Sequence, residues 1–335
     1  MEIEVITPVH VGSGEKLLMN LDFIVKDNKV VVLDTPKLFG HLIERGYNAV
    51  DIAKVELREL IEREKIDLEK FKRYALYFTG TVRNEILEHI KTGGNPYIPG
   101  SSIKGAIRTA LLWYVVKNDR NLLNYAVRSL KDKIARIRRV SKILREADDD
   151  LEKVVFGKDT RNDIMRAVRV SDSKNFNSLR VYEVKILGSR GIGVSVECID
   201  SGKAEVEIDI DDSVLERLES KYKEFVKIEN IVEITKEFGE ALIEAELEYD
   251  YLEKTKAYFK AVRKCKGILL RLGWGTGWYS KTIGLLLETH SEFESLRRKL
   301  GLGRSPRTGR FYDLFPKTRR VTVDGKPLGW VCIRC

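Results

Sequence analysis

Apolar and polar residues alternate along the first 33 positions of the chain. Three short runs, EIEVIT, LDFIV and KVVVLD, have the period of two expected of half-buried strands, and GSGEKLLMN and KDN separate them as connections. From residue 35 to about residue 78 the period becomes helical, with Leu38, Leu42 and Ile43 on one face. Asp34 stands directly before this helical segment and is predicted to be its N-cap.

Residues 101–155 show a helical pattern throughout. Within them, RSLKDKIARIRRVSKILR places Lys131, Arg138, Lys142 and Arg145 on one stripe of a helix and apolar residues on another. This basic stripe is either a solvated helix face, which we favour, or a track for phosphate groups.

Strand patterns return after these helices. The runs MRAVRVSDS, LRVYEVKIL, GVSVECID and KAEVEIDI are separated by polar turns, as in an antiparallel meander. Helices follow from Asp212 to Leu272, and LGWVCIRC closes the chain as a strand. This order predicts an α+β protein in which a small antiparallel sheet is backed by helices and elaborated by insertions. We expect two portions, residues 1–160 and 161–335, which are free to share one core.

Composition narrows the class of protein. The 335 residues are 43% hydrophobic, and no apolar run approaches the roughly 18 residues of a membrane span. The first ten residues alternate as a strand does, so we expect a cytoplasmic protein with no membrane partner. The net charge of +9 suits a polyanionic partner without requiring one. Glutamine is absent and charged residues are dense, as in proteins from hot environments.

The four cysteines are Cys198, Cys265, Cys332 and Cys335. The last two have the spacing of metal ligands, CIRC, but a structural zinc site needs about four ligands and no second pair is present. We therefore expect reduced or buried thiols, and neither a metal nor another cofactor.

The segment YIPGSSIKGAIRTAL opens a helix with two cations close to its start. Ser101 or Ser102 is predicted to cap the helix, and the remaining free N–H groups would then form an anion site. Lys104 and Arg108 share one face there and oppose the helix dipole by about 0.3–1 kcal/mol each unless an anion is bound. Phosphate binding is favoured over simple capping with the two cations extended into solvent.

The segment LGWGTGWYSKTIG is a second glycine cluster. Gly273, Gly275 and Gly277 alternate, so they do not match the dinucleotide-binding spacing, and they predict a tightly bent loop that a ligand can approach closely. Trp274 and Trp278 with the following Lys281 suit single-stranded nucleic acid, at about 1–3 kcal/mol per stacked base. At least one of the two tryptophans is expected to be structural.

The segment TPVHVGSGE is the third cluster and is predicted to be a loop. His10 has a side chain that can serve as a general acid or base near neutral pH. No neighbouring residue completes a catalytic arrangement, so a packing role is favoured for His10. The other histidines, His41, His89 and His290, fall in segments predicted to be helical, with no partner motif.

Taken in their order along the chain, TPVHVGSGE, YIPGSSIKGAIRTAL and LGWGTGWYSKTIG together resemble the RAMP superfamily of CRISPR-associated RNA-binding proteins. The closing PKTRRVTVDGKPLGWVCI is similar to the family of filament-capping fifth subunits of the type III-A Csm effector complex. The matching motifs come from both ends of the chain, whereas residues 45–90 and 115–165 contribute little to the resemblance.

The resemblance implies a ferredoxin-like, RRM-related antiparallel core with large helical insertions. It implies binding to the 3′ region of the crRNA, with target RNA as a further candidate, and docking on other Csm subunits, especially the backbone subunit at the filament end. It also implies a part in crRNA maturation, with host nucleases as candidate partners. No catalytic residue is carried over, so we expect a non-catalytic subunit. The alternative is a metal-independent RAMP endoribonuclease that uses His10.

The resemblance and the residue chemistry together give candidate RNA-binding residues in each cluster, of which Ser101, Ser102, Lys104, Arg108 and Gly273 to Gly277 are carried over from the family. The candidates are His10, Gly12, Ser13, Gly14, Ser101, Ser102, Lys104, Arg108, Gly273, Trp274, Gly275, Thr276, Gly277, Trp278 and Lys281.

Overall fold

The computed structural model describes residues 1–189 and 191–334, and its α+β class is the one predicted. The strands of this part of the chain are β1 Glu2–Val5, β2 Gly12–Leu18, β3 Phe23–Lys26, β4 Lys29–Leu33, β5 Lys72–Thr79, β6 Glu85–His89, β7 Lys91–Thr92, β8 Asn95–Pro96, β9 Val168–Val170, β10 Leu179–Ile186, β11 Val194–Ile199, β12 Gly202–Glu205, β13 Ile208–Ile210, β14 Ile268–Arg271, β15 Arg320–Thr322 and β16 Trp330–Arg334. The α-helices are α1 Thr35–Glu44, α2 Ala49–Lys54, α3 Leu57–Arg63, α4 Gly100–Asn118, α5 Arg120–Arg136, α6 Val140–Arg145, α7 Asp149–Val155, α8 Asp212–Arg217, α9 Ile228–Leu247, α10 Glu253–Val262, α11 Gly284–Leu287 and α12 Phe293–Lys299.

The first sheet joins the two ends of the chain. Its four strands lie in the order β12–β1–β16–β14 and all pairs are antiparallel, with Ile3 opposite Ile333. Helices α4 and α9 pack against each other and on β14, and their apolar faces belong to the largest hydrophobic core. This core holds the start of α4 and the end of β14 in fixed positions relative to β1.

The second sheet has eight strands and mixed pairing. Seven lie in the order β2–β6–β11–β10–β5–β4–β3, and β15 adds to β10. The pairs β5–β10 and β6–β11 are parallel, and the others are antiparallel. Helices α1 and α3 cover one face of β3 and β4 and enclose a separate small core.

The predicted meander is wrong in its pairing, although its strands exist. Of these strands, β10 pairs with β11 in the second sheet, while β9 pairs with β13 and β12 pairs with β1. Strands from both sides of residue 160 therefore combine in each of the two large sheets. The division of the chain at residue 160 stays a prediction.

The helical predictions are confirmed in part: the first helical region was predicted to reach about residue 78, but its last residues form strand β5. Asp34 caps α1 by accepting a hydrogen bond from the N–H of Lys37 at 3.2 Å, and Leu38 and Leu42 are buried, but Ile43 is exposed. The region predicted as helix between residues 101 and 155 breaks between α5 and α6, so the basic stripe does not lie on one helix. The second helical region ends at α10, and β14 takes its last residues.

One cysteine expectation is wrong. Cys265 and Cys332, which are 67 positions apart, form a disulfide bond between the segment before β14 and the neighbouring β16. Cys198 is a buried free thiol, and Cys335 lies outside the described residues. Within residues 1–189 and 191–334, no helix combines the length and the apolar character that crossing a bilayer requires.

Candidate nucleic-acid interface

One groove brings together residues from all three sequence clusters. It has a volume of about 360 Å³ and is lined by Val11, Gly12, Ser102, Gly105, Ala106, Thr109, Arg271, Leu272, Gly273, Trp274, Ser280 and Lys281. Five of these residues, namely Gly12, Ser102, Gly273, Trp274 and Lys281, are among those assigned from the sequence. The first large core positions the groove, because α4 and β14 both pack in that core.

The first turn of α4 does not have the predicted serine cap. Pro99 is the N-cap residue, and Asp172 accepts a hydrogen bond from the N–H of Gly100 at 2.8 Å. The N–H groups of Ser102 and Ile103 both point to the carbonyl of Pro99. A carboxylate of the chain therefore already occupies the position predicted to attract a phosphate.

The two cations of α4 lie away from the groove. Ser102, Gly105, Ala106 and Thr109 recur every three or four residues and form its groove-lining face, whereas Lys104 and Arg108 project from another face. Gly105 and Ala106, which lie between these two cations in sequence, line the groove, and the missing side chain of Gly105 leaves open space there.

Arg108 has structural partners in the chain. Its guanidinium lies 2.8 Å from both Glu152 Oε2 and Asp163 Oδ2 and 3.8 Å from the ring centroid of Phe156. Burial alone would lower the pKa of Arg108, but Glu152 and Asp163 raise it. Burial lowers the pKa of Lys104, which Asp163 opposes by its charge. These contacts join α4 to α7 and to the segment after it.

The glycine loop is bent as predicted and packs directly on the first cluster. Gly273 has a φ of 89°, and a Cβ atom at this position would lie 2.3 Å from the carbonyl oxygen of His10. The same carbonyl accepts a hydrogen bond from the N–H of Trp274 at 2.7 Å. Glycine is therefore required at position 273, because any side chain would separate the two segments.

The rest of the glycine loop is buried or half-buried. Thr276 is buried and donates a hydrogen bond from Oγ1 to the carbonyl of Gly273 at 3.1 Å, and Gly275 and Gly277 also have positive φ values. Trp278 packs at centroid distances of 4.9 Å from Phe315 and 5.9 Å from Phe293, so the prediction of a structural tryptophan is confirmed for Trp278.

His10 lies beneath the groove and not within it. Its side chain is 2% exposed, Nδ1 donates to the carbonyl of Glu197 at 2.7 Å, and its ring meets Trp274 edge to face at 6.0 Å. The pKa of His10 is lowered to about 4, chiefly because the side chain is buried. The hydrogen bond to Glu197 raises the pKa and the charge of Lys91 lowers it, both by less than burial does. His10 is therefore neutral at pH 7 and positions the loop that carries Trp274.

A second histidine supports this arrangement. His89 is in β6, not in a helix as predicted, and its ring lies 5.9 Å from that of His10. Its Nδ1 accepts from the N–H of Val11 at 3.2 Å, so the proton is on Nε2, which lies 3.0 Å from the carbonyl of Tyr97. Burial lowers the pKa of His89 to about 3.

The predicted first loop is partly a strand. Gly12 begins β2, and Ser13 and Gly14 continue along it. Ser13 donates a hydrogen bond from Oγ to Glu88 Oε2 at 3.2 Å and is exposed, and Gly14 has a φ of 95°. Neither Ser13 nor Gly14 lines the groove, and Ser101 is exposed at the start of α4.

Sequence reasoning missed a cation beside the groove. The guanidinium of Arg320 lies 5.0 Å from the ring centroid of Trp274, and its charge lowers the pKa of Lys281, after the larger effect of burial. Burial also lowers the pKa of Arg320. Among residues 1–189 and 191–334, no carboxylate pairs with Lys281 or Arg320. The sequence PKTRR already indicated a cation at this surface. The side chains of two adjacent arginines point to opposite sides of an extended segment, so Arg319 and Arg320 cannot both point to one side.

Arg319, the sequence neighbour of Arg320, differs from it in being paired with an acidic residue. Arg319 is buried and its Nε lies 3.1 Å from Glu246 Oε2, while Arg271 Nη1 lies 2.6 Å from Glu246 Oε1. This buried cluster ties α9, β14 and the segment before β15 together. In the part of the chain that the structure describes, no three His, Cys, Asp or Glu side chains are grouped so that they could hold a metal ion.

The comparisons with known proteins agree with these motifs. The profile of the RAMP superfamily matches residues 2–280, a span that includes the first cluster, the start of α4 and the glycine loop. The chain belongs to the RAMP superfamily. The ferredoxin-like α+β fold expected from the sequence is thereby confirmed, as is the resemblance on which the expectation was based.

Individual RAMP proteins are similar to this chain over nearly its whole length. The Csm5 protein of the Methanocaldococcus jannaschii CRISPR system is 26% identical over 99% of this chain and 87% of its own. Csm5 of Streptococcus thermophilus is 26% identical over 89% of this chain and 84% of its own.

Two solved structures share the fold. A chain in the cryo-EM structure of a Csm–crRNA–target RNA ternary complex of a type III-A CRISPR–Cas system has a TM-score of 0.84 and 32% identity, and the match covers 99% of each chain. The crystal structure of T. onnurineus Csm5 has a TM-score of 0.76 and 28% identity, with 99% of this chain and 100% of the other covered.

Proposed function

We propose that this chain is a non-catalytic, RNA-binding Csm5-type subunit of a type III-A Csm effector complex. Its similarity to proteins named Csm5, and to a chain of a complex that contains crRNA and target RNA, supports this assignment. In the proposal the chain caps the filament at the crRNA 3′ end, docks on the last backbone subunit and assists crRNA maturation in the cytoplasm, with host nucleases as further partners.

The observation that carries the RNA-binding part is the pair Lys281 and Arg320 beside Trp274. Both cations are partly desolvated, and no acid among the described residues neutralises either. A phosphate group that reached them would gain two charge-assisted contacts while a base stacked on or near Trp274. Gly105 leaves open space for the ribose-phosphate backbone to approach.

In this proposal the other sequence-assigned residues have supporting roles. Arg108 joins α4 to α7 and Lys104 lies near Asp163, Trp278 and Thr276 shape the glycine loop, and His10 holds that loop in place. Ser13, Gly14 and Ser101 are left as candidate contacts at the margins of the groove.

RNA affinity of a charge-neutralised variant tests the proposal. Lys281→Gln with Arg320→Gln should weaken binding of a fluorescein-labelled single-stranded RNA roughly tenfold and lower the salt slope by about 1.4, since each lost phosphate contact removes about 0.7. Lys264→Gln with Lys266→Gln is the matched control, because these exposed lysines carry the same charge and lie outside the groove. Equal affinity for the groove variant and the parent would refute RNA binding at this groove and favour a purely protein scaffold.

The capping role has its own test. Complexes assembled with the Lys281/Arg320 variant should carry crRNA whose 3′ ends are heterogeneous or longer than in the parent complex. Unchanged 3′ ends would remove guide maturation from the proposal.

The endoribonuclease alternative is disfavoured by the burial of His10. A neutral imidazole with a lowered pKa, whose Nδ1 is already bonded to a carbonyl, is poorly placed to exchange protons with RNA. The purified chain and its His10→Asn variant are each incubated with repeat-containing RNA. We expect no cleavage product that the parent forms and the variant does not. Specific cleavage that depends on His10 would reverse this assignment.

A further inference from the structure

A strongly basic loop lies between α12 and β15. We name residues 303–317 the basic hairpin. It contains one acid, Asp313, and four cations, all exposed: Arg304, Arg307, Arg310 and Lys317. The charge of Asp313 acts on the buried Arg297, where it helps to raise the pKa.

The basic hairpin is an ordered element and not the loose tail that its composition suggests. Backbone N–H groups of Ser305 and Tyr312 donate to the carbonyls of Arg310 and Gly303 at 2.8 and 3.0 Å, so the two arms face each other. Arg304 closes the turn by donating from Nε to the carbonyl of Gly309 at 2.8 Å. Such internal bonding orders the backbone that carries Arg307 and Arg310.

These remaining cations have no acidic partner. Within the described residues, Arg307 and Arg310 form no ion pair, and Lys317 contacts only the ring of Tyr312, 3.8 Å from its centroid. Three exposed positive side chains on one short segment, none of them in an ion pair, favour binding of a polyanion. Charge and order together indicate an anion-binding surface.

The basic hairpin is continuous with the groove. Phe315 at its end packs 4.9 Å from Trp278 of the glycine loop, and five residues later Arg320 covers Trp274. Trp278 and Trp274, which belong to the same glycine loop, therefore contact the basic hairpin and the groove, respectively. This connection favours the RNA proposed for the groove over an acidic protein as the occupant of the hairpin.

We propose that the basic hairpin is a second RNA-contacting element, in which Arg307, Arg310 and Lys317 bind phosphates of the same strand that occupies the groove, without base specificity. This inference rests on the proposed function. It extends the RNA path beyond the three motifs that define the groove.

A charge-neutralised triple variant tests the inference in the full-length chain. Arg307→Gln, Arg310→Gln and Lys317→Gln together should lower the salt slope of single-stranded RNA binding by about 2 and reduce the affinity gap between about 50 and 200 mM KCl by about 15-fold. The probe is a fluorescein-labelled single-stranded RNA of mixed sequence, read by anisotropy. Lys260→Gln, Lys264→Gln and Lys266→Gln remove the same charge from exposed positions on and just after α10 and should leave the slope within error of the parent.

Each other outcome has a defined meaning. A hairpin variant with the parent slope, beside a Lys281/Arg320 variant that has lost affinity, overturns the inference and leaves the proposed function standing. Parent-like binding by both variants overturns both. An equal loss in the α10 control would show that only net charge matters and would also overturn the inference.

Discussion

Two pairs of cations, each next to a glycine motif, have opposite surroundings. On α4, Arg108 is neutralised by Glu152 and Asp163. The negative charge of Asp163 also favours the protonated form of Lys104. At the groove, Lys281 and Arg320 have no acid partner among the described residues. The α4 motif looked the stronger phosphate site in the sequence, yet its partners, 44 and 55 residues downstream of Arg108, supply the anions. A cation in a sequence motif therefore indicates a ligand site only when no acidic residue of the folded chain neutralises its charge.

The largest expected effect concerns His10, which would be a buried cation beneath the groove if it were protonated. Its pKa of about 4 in the folded chain lies below the ordinary 6.5, so the unfolded chain binds more protons between these values. The free energy of unfolding should be fully retained above about pH 6.5 and fall by up to about 3 kcal/mol as the pH drops to about 4.

Urea unfolding of the parent and of His10→Asn measures this contribution. The asparagine carboxamide can donate to the carbonyl of Glu197 in place of Nδ1, so the variant removes the titration while it keeps the hydrogen bond. The variant should lose less stability on acidification than the parent. Identical pH dependence in the two proteins would mean that His10 is not buried as a neutral group.

The next effect separates the two cation pairs directly. Arg108→Gln should lower the free energy of unfolding by about 2 kcal/mol, because Glu152 and Asp163 lose their partner in a half-buried site. RNA affinity should stay at the parent value. Arg320→Gln should do the reverse, with unchanged stability and weaker RNA binding. If Arg108→Gln weakened RNA binding as much as Arg320→Gln, the contrast between the two pairs would be wrong.

The smallest effect concerns Gly105, which lies between the α4 cations and lines the groove. Gly105→Ala should raise the free energy of unfolding by about 0.5–1 kcal/mol, since alanine is the better helix former and its methyl group meets no atom within 4 Å. The methyl group would project into the groove and reduce RNA affinity slightly. Gly40→Ala in α1 is the matched control, with equally open space, and should give the stability gain alone. Equal RNA affinity in both variants would place the RNA away from this face of α4.

Local features of the fold were predictable because short-range physics determines them. The cap at Asp34, the buried Leu38 and Leu42 of α1, and the strands between residues 168 and 205 all follow from periodicity or capping chemistry. Strand β2 was missed because most of its residues are exposed, so the alternation that marks a half-buried strand is absent. Pairing of distant strands, such as β1 with β16, leaves no local signal.

The three segments that form the candidate site could be predicted from the sequence. Which of their cations pair with acidic residues of the chain could not. Backbone bends at Gly273 could be inferred from glycine alone. Which of Arg319 and Arg320 is buried depends on Glu246 in α9, more than 70 positions away, and the proximity of His10 to His89 depends on the pairing of β2 with β6. Such partners are set by tertiary structure, and this is why the motif cation Arg108 was assigned to RNA and Arg320 was overlooked.

Crosslinking of RNA to protein in the assembled effector complex tests the central claim most directly. If the groove cations hold the guide RNA, crosslinked peptides should include Trp274, Lys281 and Arg320, and the α4 peptide with Lys104 and Arg108 should be crosslinked weakly or not at all. Crosslinks concentrated at Lys104 and Arg108, with none at Trp274, Lys281 or Arg320, would contradict the account.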